Sequence, residues 1–282
     1  MRRAKGRCCA AVIATLVMVA GLLVGQVSQS TTAAANSGLV RVTSGPTPEN
    51  SDLRKSKRAR CPTGFRVVGG GGWAYDHGHG MVALTAVVPG RDRVLRRDYF
   101  QATASEPSTG FSAGWWLEAY ALCAPAASLP GYQQVSATST NTNFVTARAK
   151  CPAGKRIFGT GASVSPDDHA GLQLFRSTGP RDAAVATARS RGEYFGNIKL
   201  HAFGICTTAP AVTVATVRNQ DNAAADCPSG MRAHGVAGGG SPTDSGNSFL
   251  QDVYPPSQLH RARAAMTATP NGGMVTQAIC AR

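Results

Sequence analysis

Acidic residues are scarce in this chain: 15 Asp and Glu stand against 29 Lys and Arg in 282 residues, a formal net charge of +14. The few acids lie mostly beside turn residues, which leaves little material for a two-carboxylate glycosidase. Common catalytic signatures are missing as well. There is no H-E-x-x-H, no G-x-S-x-G and no P-loop, and the run Gly69–Gly72 is too glycine-dense for a dinucleotide fingerprint, with no helical pattern after it. Beyond the first 35 residues no apolar stretch reaches the ~18 residues of a spanning helix. Nor does an apolar period of 3.6 persist there for more than two turns. These absences turn attention to a β-rich chain, which the abundance of Gly, Ala, Thr and Ser suits.

The N-terminus reads as a secretory leader. Arg2, Arg3, Lys5 and Arg7 form a positive region, an apolar run follows from Cys8 to about Val24, and Ala33-Ala34-Ala35 supplies a small-residue cleavage site before Asn36. Residues 1–35 are therefore expected to be removed, and Cys8 and Cys9 with them; an uncleaved N-terminal membrane anchor is the rival reading. Cleavage leaves 25 Lys and Arg and six cysteines. An even number of cysteines in an exported chain predicts three disulfides.

Those six cysteines organise a repeat. Cys61-Pro62-Thr63-Gly64, Cys151-Pro152-Ala153-Gly154 and Cys227-Pro228-Ser229-Gly230 each open a segment of the form C-P-x-G-x-R-x-x-G. Each segment closes on an apolar strand that ends in Cys123, Cys206 or Cys280. The intervals are 62, 55 and 53 residues. Of the fifteen or so pairings that six cysteines allow, the repetition selects Cys61–Cys123, Cys151–Cys206 and Cys227–Cys280. The expected organisation is a leader (1–35) and three β-repeat units, 36–129, 130–209 and 210–282.

Each unit carries several strand signals. They are an alternating stretch well before the first cysteine (Val40–Thr43, Val135–Thr138, Val212–Val217), a strand running from C-P-x-G into the glycines, and strands at Met81–Val87, Leu172–Arg176 and Phe249–Val253. A penultimate strand follows around Phe100–Ala104, Ala184–Arg189 and Ala264–Ala268, and then the closing strand. Turn signals stand at Pro89–Asp92, Gly179–Asp182 and Pro255–Ser257. The fold class is all-β. Short linkers and the thin core of a single unit favour one body with pseudo-threefold symmetry over three beads.

The cysteine pattern resembles the C-P-A-G…G-G-G…Y-A-I-C-A modules of secreted actinobacterial proteins, which also end some collagen-like or tail-fibre-like chains. The resemblance covers most of residues 37–282 and implies no activity. As a fold analogy alone, the three repeats are similar to the β-prism of the egg vitelline layer.

Candidate sites are few. Arg54, Lys55, Lys57, Arg58 and Arg60, with Arg91, Arg93, Arg96 and Arg97, could form an anion-binding patch for cell-wall polymer, acidic glycan or anionic lipid headgroups. The first run could equally be an exposed, protease-sensitive loop. Aromatic residues are not interleaved with these basics, which argues against nucleic acid. Trp116, Glu118 and Tyr120 share one face of a strand and could bind a sugar ring or could be packing residues. Asp76-His77-Gly78-His79 and Asp167-Asp168-His169 fit turns better than a metal site, because the third unit offers only Asp244. No cofactor or catalytic residue is implied. The chain is expected to be a secreted, non-enzymatic binding or envelope-associated protein; an extracellular hydrolase of glycan or peptide, with Glu118 or a loop Asp in catalysis, and a protease inhibitor with an Arg-rich reactive loop are the alternatives.

Overall fold

The computed structural model describes residues 38–177, 183–192, 194–208, 212–219, 224–240, 248–268 and 273–282. The leader with Cys8 and Cys9, the turn signal at Gly179–Asp182 and Asp244 lie outside these residues. The described part is all-β, and its one short 3-10 turn is Ala126–Ser128.

The first repeat supplies six strands: β1 (Val40–Thr43), β2 (Arg54–Arg60), β3 (Phe65–Tyr75), β4 (Ala83–Arg91), β5 (Asp98–Ser105) and β6 (Trp116–Pro125). The second supplies β7 (Gln133–Thr142), β8 (Phe144–Lys150), β9 (Arg156–Ser165), β10 (Ala170–Ser177), β11 (Ala183–Ser190) and β12 (Asn197–Thr207). The third supplies β13 (Val212–Asn219), β14 (Ala224–Asp226), β15 (Arg232–Gly240), β16 (Leu250–Tyr254), β17 (Arg261–Met266) and β18 (Met274–Ala281).

No sheet belongs to one repeat. Sheet I has the order β1-β6-β3-β16-β17-β14, sheet II β2-β5-β4-β9-β12-β7 and sheet III β13-β18-β15-β10-β11-β8. Every repeat thus gives three strands to one sheet and three to the next, and the exchange closes in a cycle. The joints are short antiparallel ladders: Trp73 pairs with Asp252, Ser163 with Ala86 and Gly239 with Leu174. The described residues pack as one compact unit, so the three repeats form a single body.

The closing glycine of each C-P-x-G-x-R-x-x-G motif explains how the repeats close up. In β3, β9 and β15 a bulge admits one extra residue just before it: Val68, Phe158 and His234. A bulge turns the strand and redirects its carbonyl. A methyl group on Gly69 would lie 2.3 Å from the His234 carbonyl oxygen, one on Gly159 2.0 Å from that of Val68, and one on Gly235 2.7 Å from that of Phe158. The three repeats therefore touch backbone to backbone around a ring that has no space for a Cβ. Around it the core is filled by Phe100, Phe158, Phe175, Leu84, Leu117, Leu172, Ile157 and Ile198, all fully buried.

Three disulfides tie the repeats internally: Cys61–Cys123, Cys151–Cys206 and Cys227–Cys280. Each joins the cysteine that opens a C-P-x-G turn to the closing strand beside it. Three such bonds suit an oxidising, extracellular environment. Among the described residues no helix is long and apolar enough to cross a membrane.

Two local expectations need correction. The basic run Arg54–Arg60 is no loop: it forms β2, the edge strand of sheet II, paired along its length with β5. Its counterparts β8 and β14 precede the other opening cysteines, so each repeat has one strand more than its apolar pattern suggests. A charged edge also discourages pairing with another chain. The second correction concerns Pro89-Gly90, which continues β4 rather than turning it. The ladder between β4 and β9 covers only Ala86 and Val87, so Pro89 lies beyond it, where no amide donor is required on that side. The chain turns only at Asp92, whose backbone N–H donates to the Arg97 carbonyl at 2.8 Å.

Candidate functional site

Side chains alternate across a strand, and in β6 Leu117 and Ala119 are fully buried in the core. Trp116, Glu118 and Tyr120 therefore point to the outer face of sheet I. The neighbouring strands place further rings there. Tyr75 is opposite Trp116, Trp73 is opposite Glu118, and across the repeat joint Asp252 is opposite Trp73.

The result is one continuous aromatic cluster. Trp73 meets Trp116 edge-on, with ring centroids 4.8 Å apart, and stacks on Tyr254 at 5.6 Å. Tyr254 in turn stacks on Tyr120 at 5.4 Å, and Tyr75 leans on Trp116 at 5.2 Å and on His77 at 4.9 Å. Arg41 covers the far end, its guanidinium 4.4 Å from the centre of the Tyr120 ring and its Nε donating to the Pro255 carbonyl. Tyr120 is consequently buried, whereas Trp73, Trp116 and Tyr254 are half-buried and Tyr75 is 37% exposed. The accessible surface is the Trp73–Trp116–Tyr75 end.

Two carboxyls flank Trp73, one on each adjacent strand. Glu118 accepts from the Tyr120 hydroxyl at 2.6 Å and from the Thr43 hydroxyl. Burial, and then the Glu118 contact, push the Tyr120 phenol far above its usual range, so it stays a neutral donor and holds Glu118 in place. Asp252 is different. Burial raises its pKa to about 7, against the opposing effects of the Ala265 amide and of Arg263. A carboxyl still protonated near neutrality can donate a hydrogen bond as well as accept one.

The same shift has a consequence for stability. Between about pH 4 and pH 7 the folded chain holds a proton on Asp252 that an unfolded chain releases, so this group's contribution falls as pH rises through that window. Asp252→Asn is expected to stabilise the protein at pH 8 by roughly 1–2 kcal/mol, less than the full shift because water still reaches the carboxyl, with the gap closing near pH 4. Urea unfolding of the two proteins at both pH values measures it.

Among the described residues, the equivalent faces of the other sheets lack this cluster. Where Trp73 faces Glu118, sheet II has Ser163 facing His201 and sheet III has Gly239 facing Val275. Where Tyr75 faces Trp116, sheet II has Ser165 facing Lys199. The aromatic face is thus a local departure from the pseudo-threefold frame. Packing alone does not require it, because the other two sheets are built without it.

The structure places the remaining candidates as follows. Trp115 and Trp116 are adjacent in sequence but point to opposite faces. Trp115 is fully buried, and its Nε1 donates to Glu106 at 2.7 Å and to the Asp52 carbonyl at 3.1 Å. Lys55 lies under that ring, 4.5 Å from its centre, and its Nζ donates to the carbonyls of Pro48 and Asn50 at 2.9 Å each and to that of Trp115. Only 5% exposed, Lys55 is a structural pin with no surface for an external anion.

The other basic residues do not gather into one patch either. Arg54 pairs with Asp167, Arg58 lies on Tyr99 and donates to Gln101, Arg60 approaches Asp92, Arg91 pairs with buried Asp98, and Arg97 donates to the Cys61 carbonyl. Lys57 is half-buried, and Arg93 and Arg96 project from the β4–β5 loop. Asp76 is buried and closes its own turn, accepting from the Met81 and Val82 amides and from Gln251. His169 stacks on Tyr194 at 4.6 Å. Among the described residues no three of His, Cys, Asp and Glu converge as metal ligands would.

Comparison of the chain with known protein families and with curated proteins finds no match.

Proposed function

We propose that the protein is exported by its leader and acts outside the cell as a non-enzymatic glycan-binding protein, with the outer face of sheet I as its site. One observation carries the reading: among the described residues, one of three equivalent sheet faces alone bears a joined Trp–Tyr cluster with hydrogen-bonding carboxyls on either side of its central ring. The C–H faces of a pyranose are weakly apolar and pack on flat aromatic rings, while its equatorial hydroxyls need donors and acceptors at the rim. Trp116, Trp73 and Tyr75 offer the first, and Asp252 offers the second. Glu118 already accepts from two hydroxyls, so a positioning role suits it better than that of a general acid.

Retention on insoluble cellulose, chitin and peptidoglycan tests the reading. The mature chain is expected to be retained on at least one of them, and to remain bound at about 1 M salt because stacking is not screened. Trp116→Ala and Tyr75→Ala are each expected to lower retention about tenfold, as the loss of ~1.4 kcal/mol would do. No retention on any glycan, or retention indifferent to both variants, would refute the site. Sugar release that disappears in Glu118→Gln would replace binding by hydrolysis.

A further inference from the structure

The hairpin between β4 and β5 has a feature the glycan face does not use. Its tip, Asp92-Arg93-Val94-Leu95-Arg96-Arg97, presents Val94 at 89% and Leu95 at 53% exposure. Two adjacent apolar side chains so open at a loop tip form a small exposed apolar patch, the kind of surface that serves as a contact site. The tip is also held in shape. The Asp92 carboxylate accepts from the Val94 and Leu95 amides at 3.0 Å each, Arg96 adopts a positive φ of 52°, and Arg97 is anchored on the Cys61 carbonyl at 2.7 Å. Val94 and Leu95 are therefore directed outward before any partner arrives, at little ordering cost on binding.

The surroundings are cationic. Arg93 and Arg96 flank the apolar pair in sequence, and at the same end of sheet II lie Lys155 and Arg156 at the opening of β9, while Arg60 at the close of β2 approaches Asp92 at 3.9 Å. The nearby acids are already engaged. Asp98 is buried between Arg66 at 3.3 Å and Arg91 at 3.1 Å, and Asp92 is occupied by the loop amides.

We propose that this tip is a second attachment site, which docks on an anionic lipid surface. Val94 and Leu95 enter the boundary between headgroups and acyl chains, while Arg93 and Arg96 pair with lipid phosphates. A soluble polyanion would reward the arginines but leave both apolar side chains in water; a lipid surface covers both. The pairing of charge with exposed apolar area selects the bilayer over a cell-wall polymer. A tip with two apolar residues gives reversible attachment.

Sedimentation of the mature chain with phosphatidylcholine vesicles, and with vesicles containing phosphatidylglycerol, tests the proposal. Binding is expected to the anionic vesicles only and to weaken with salt. Arg93→Gln with Arg96→Gln is expected to reduce it by roughly tenfold or more, at about 1 kcal/mol per arginine near the surface. Val94→Ser with Leu95→Ser is expected to reduce it about as much while leaving the unfolding midpoint and glycan retention unchanged, because neither side chain belongs to the core or to the aromatic face. A Leu95→Trp variant reads insertion directly, through a blue shift of its emission on anionic vesicles. Failure to bind these vesicles would overturn the proposal. So would a serine double variant that binds as tightly as the parent chain, which would make the arginines a polyanion site. Neither outcome touches the glycan reading, whose test uses other residues and no lipid.

Discussion

Gly159→Ala is expected to destabilise the folded chain severely, moving its urea midpoint far below that of the parent. The added methyl would sit 2.0 Å from the Val68 carbonyl oxygen and 3.0 Å from its carbon. Both belong to the backbone of another repeat, so no side-chain rotation relieves the overlap. Relief requires two repeats to separate, and the same ring binds the third through Gly69 and Gly235. A separation at one contact therefore opens all three joints and the close-packed core between them. The expected cost exceeds ~4 kcal/mol, at the extreme of single substitutions and a large share of the stability of a domain this size. The contrast is Gly64→Ala. That residue has φ of +82° with nothing near its would-be Cβ, so only the left-handed backbone opposes the change, by about 1 kcal/mol. Urea unfolding of the two variants side by side decides the matter: similar midpoints would show that the ring tolerates a methyl and is not what closes the body.

Replacing Cys151 and Cys206 together by alanine is expected to destabilise the protein by about 4 kcal/mol in the chain-entropy description, for a loop closed across 55 residues. Both sulfurs lie at the end of the second repeat where β9 and β12 begin and finish their ladder. The effect should spread beyond that repeat, because β9 also carries the joint to β4 and the ring glycine Gly159. A single cooperative unfolding transition, shifted to lower urea, is the expected result. Two separated transitions would mean that the repeats unfold independently, contrary to their exchange of strands. Reduction of the parent chain, which opens all three bonds, is expected to lower the midpoint further than the double variant does.

Much of this was legible from residues alone, for identifiable reasons. The disulfide pairing follows from a motif repeated in order at both ends of each segment, and the structure contains those three bonds. Most strands follow from alternation. β2 escaped because its pattern is Arg-Lys-Ser-Lys-Arg-Ala-Arg, in which the inward positions include Lys55; a lysine whose stem packs under Trp115 while its ammonium meets three carbonyls looks, in sequence, like any solvated charge. Of the aromatic face, Trp116, Glu118 and Tyr120 were visible as one side of one strand. Trp73 and Tyr75 carried a signal of their own, an alternating pair emerging from the glycine run, but nothing local linked it to β6. Tyr254 and Asp252 had no such signal, because they arrive from the third repeat through the β3–β16 joint.

By itself the sequence determined an all-β chain cut into three cysteine-closed repeats, because turn residues, alternation and disulfide bonds act through neighbours or through covalent chemistry that recurs with the motif. It did not determine that each sheet is assembled from two repeats. An unpaired strand edge is chemically generic, a row of amides and carbonyls that any extended segment can satisfy. Which edge it meets is decided by whether three repeats can close around Gly69, Gly159 and Gly235 with their backbones in contact, and only the tertiary structure answers that.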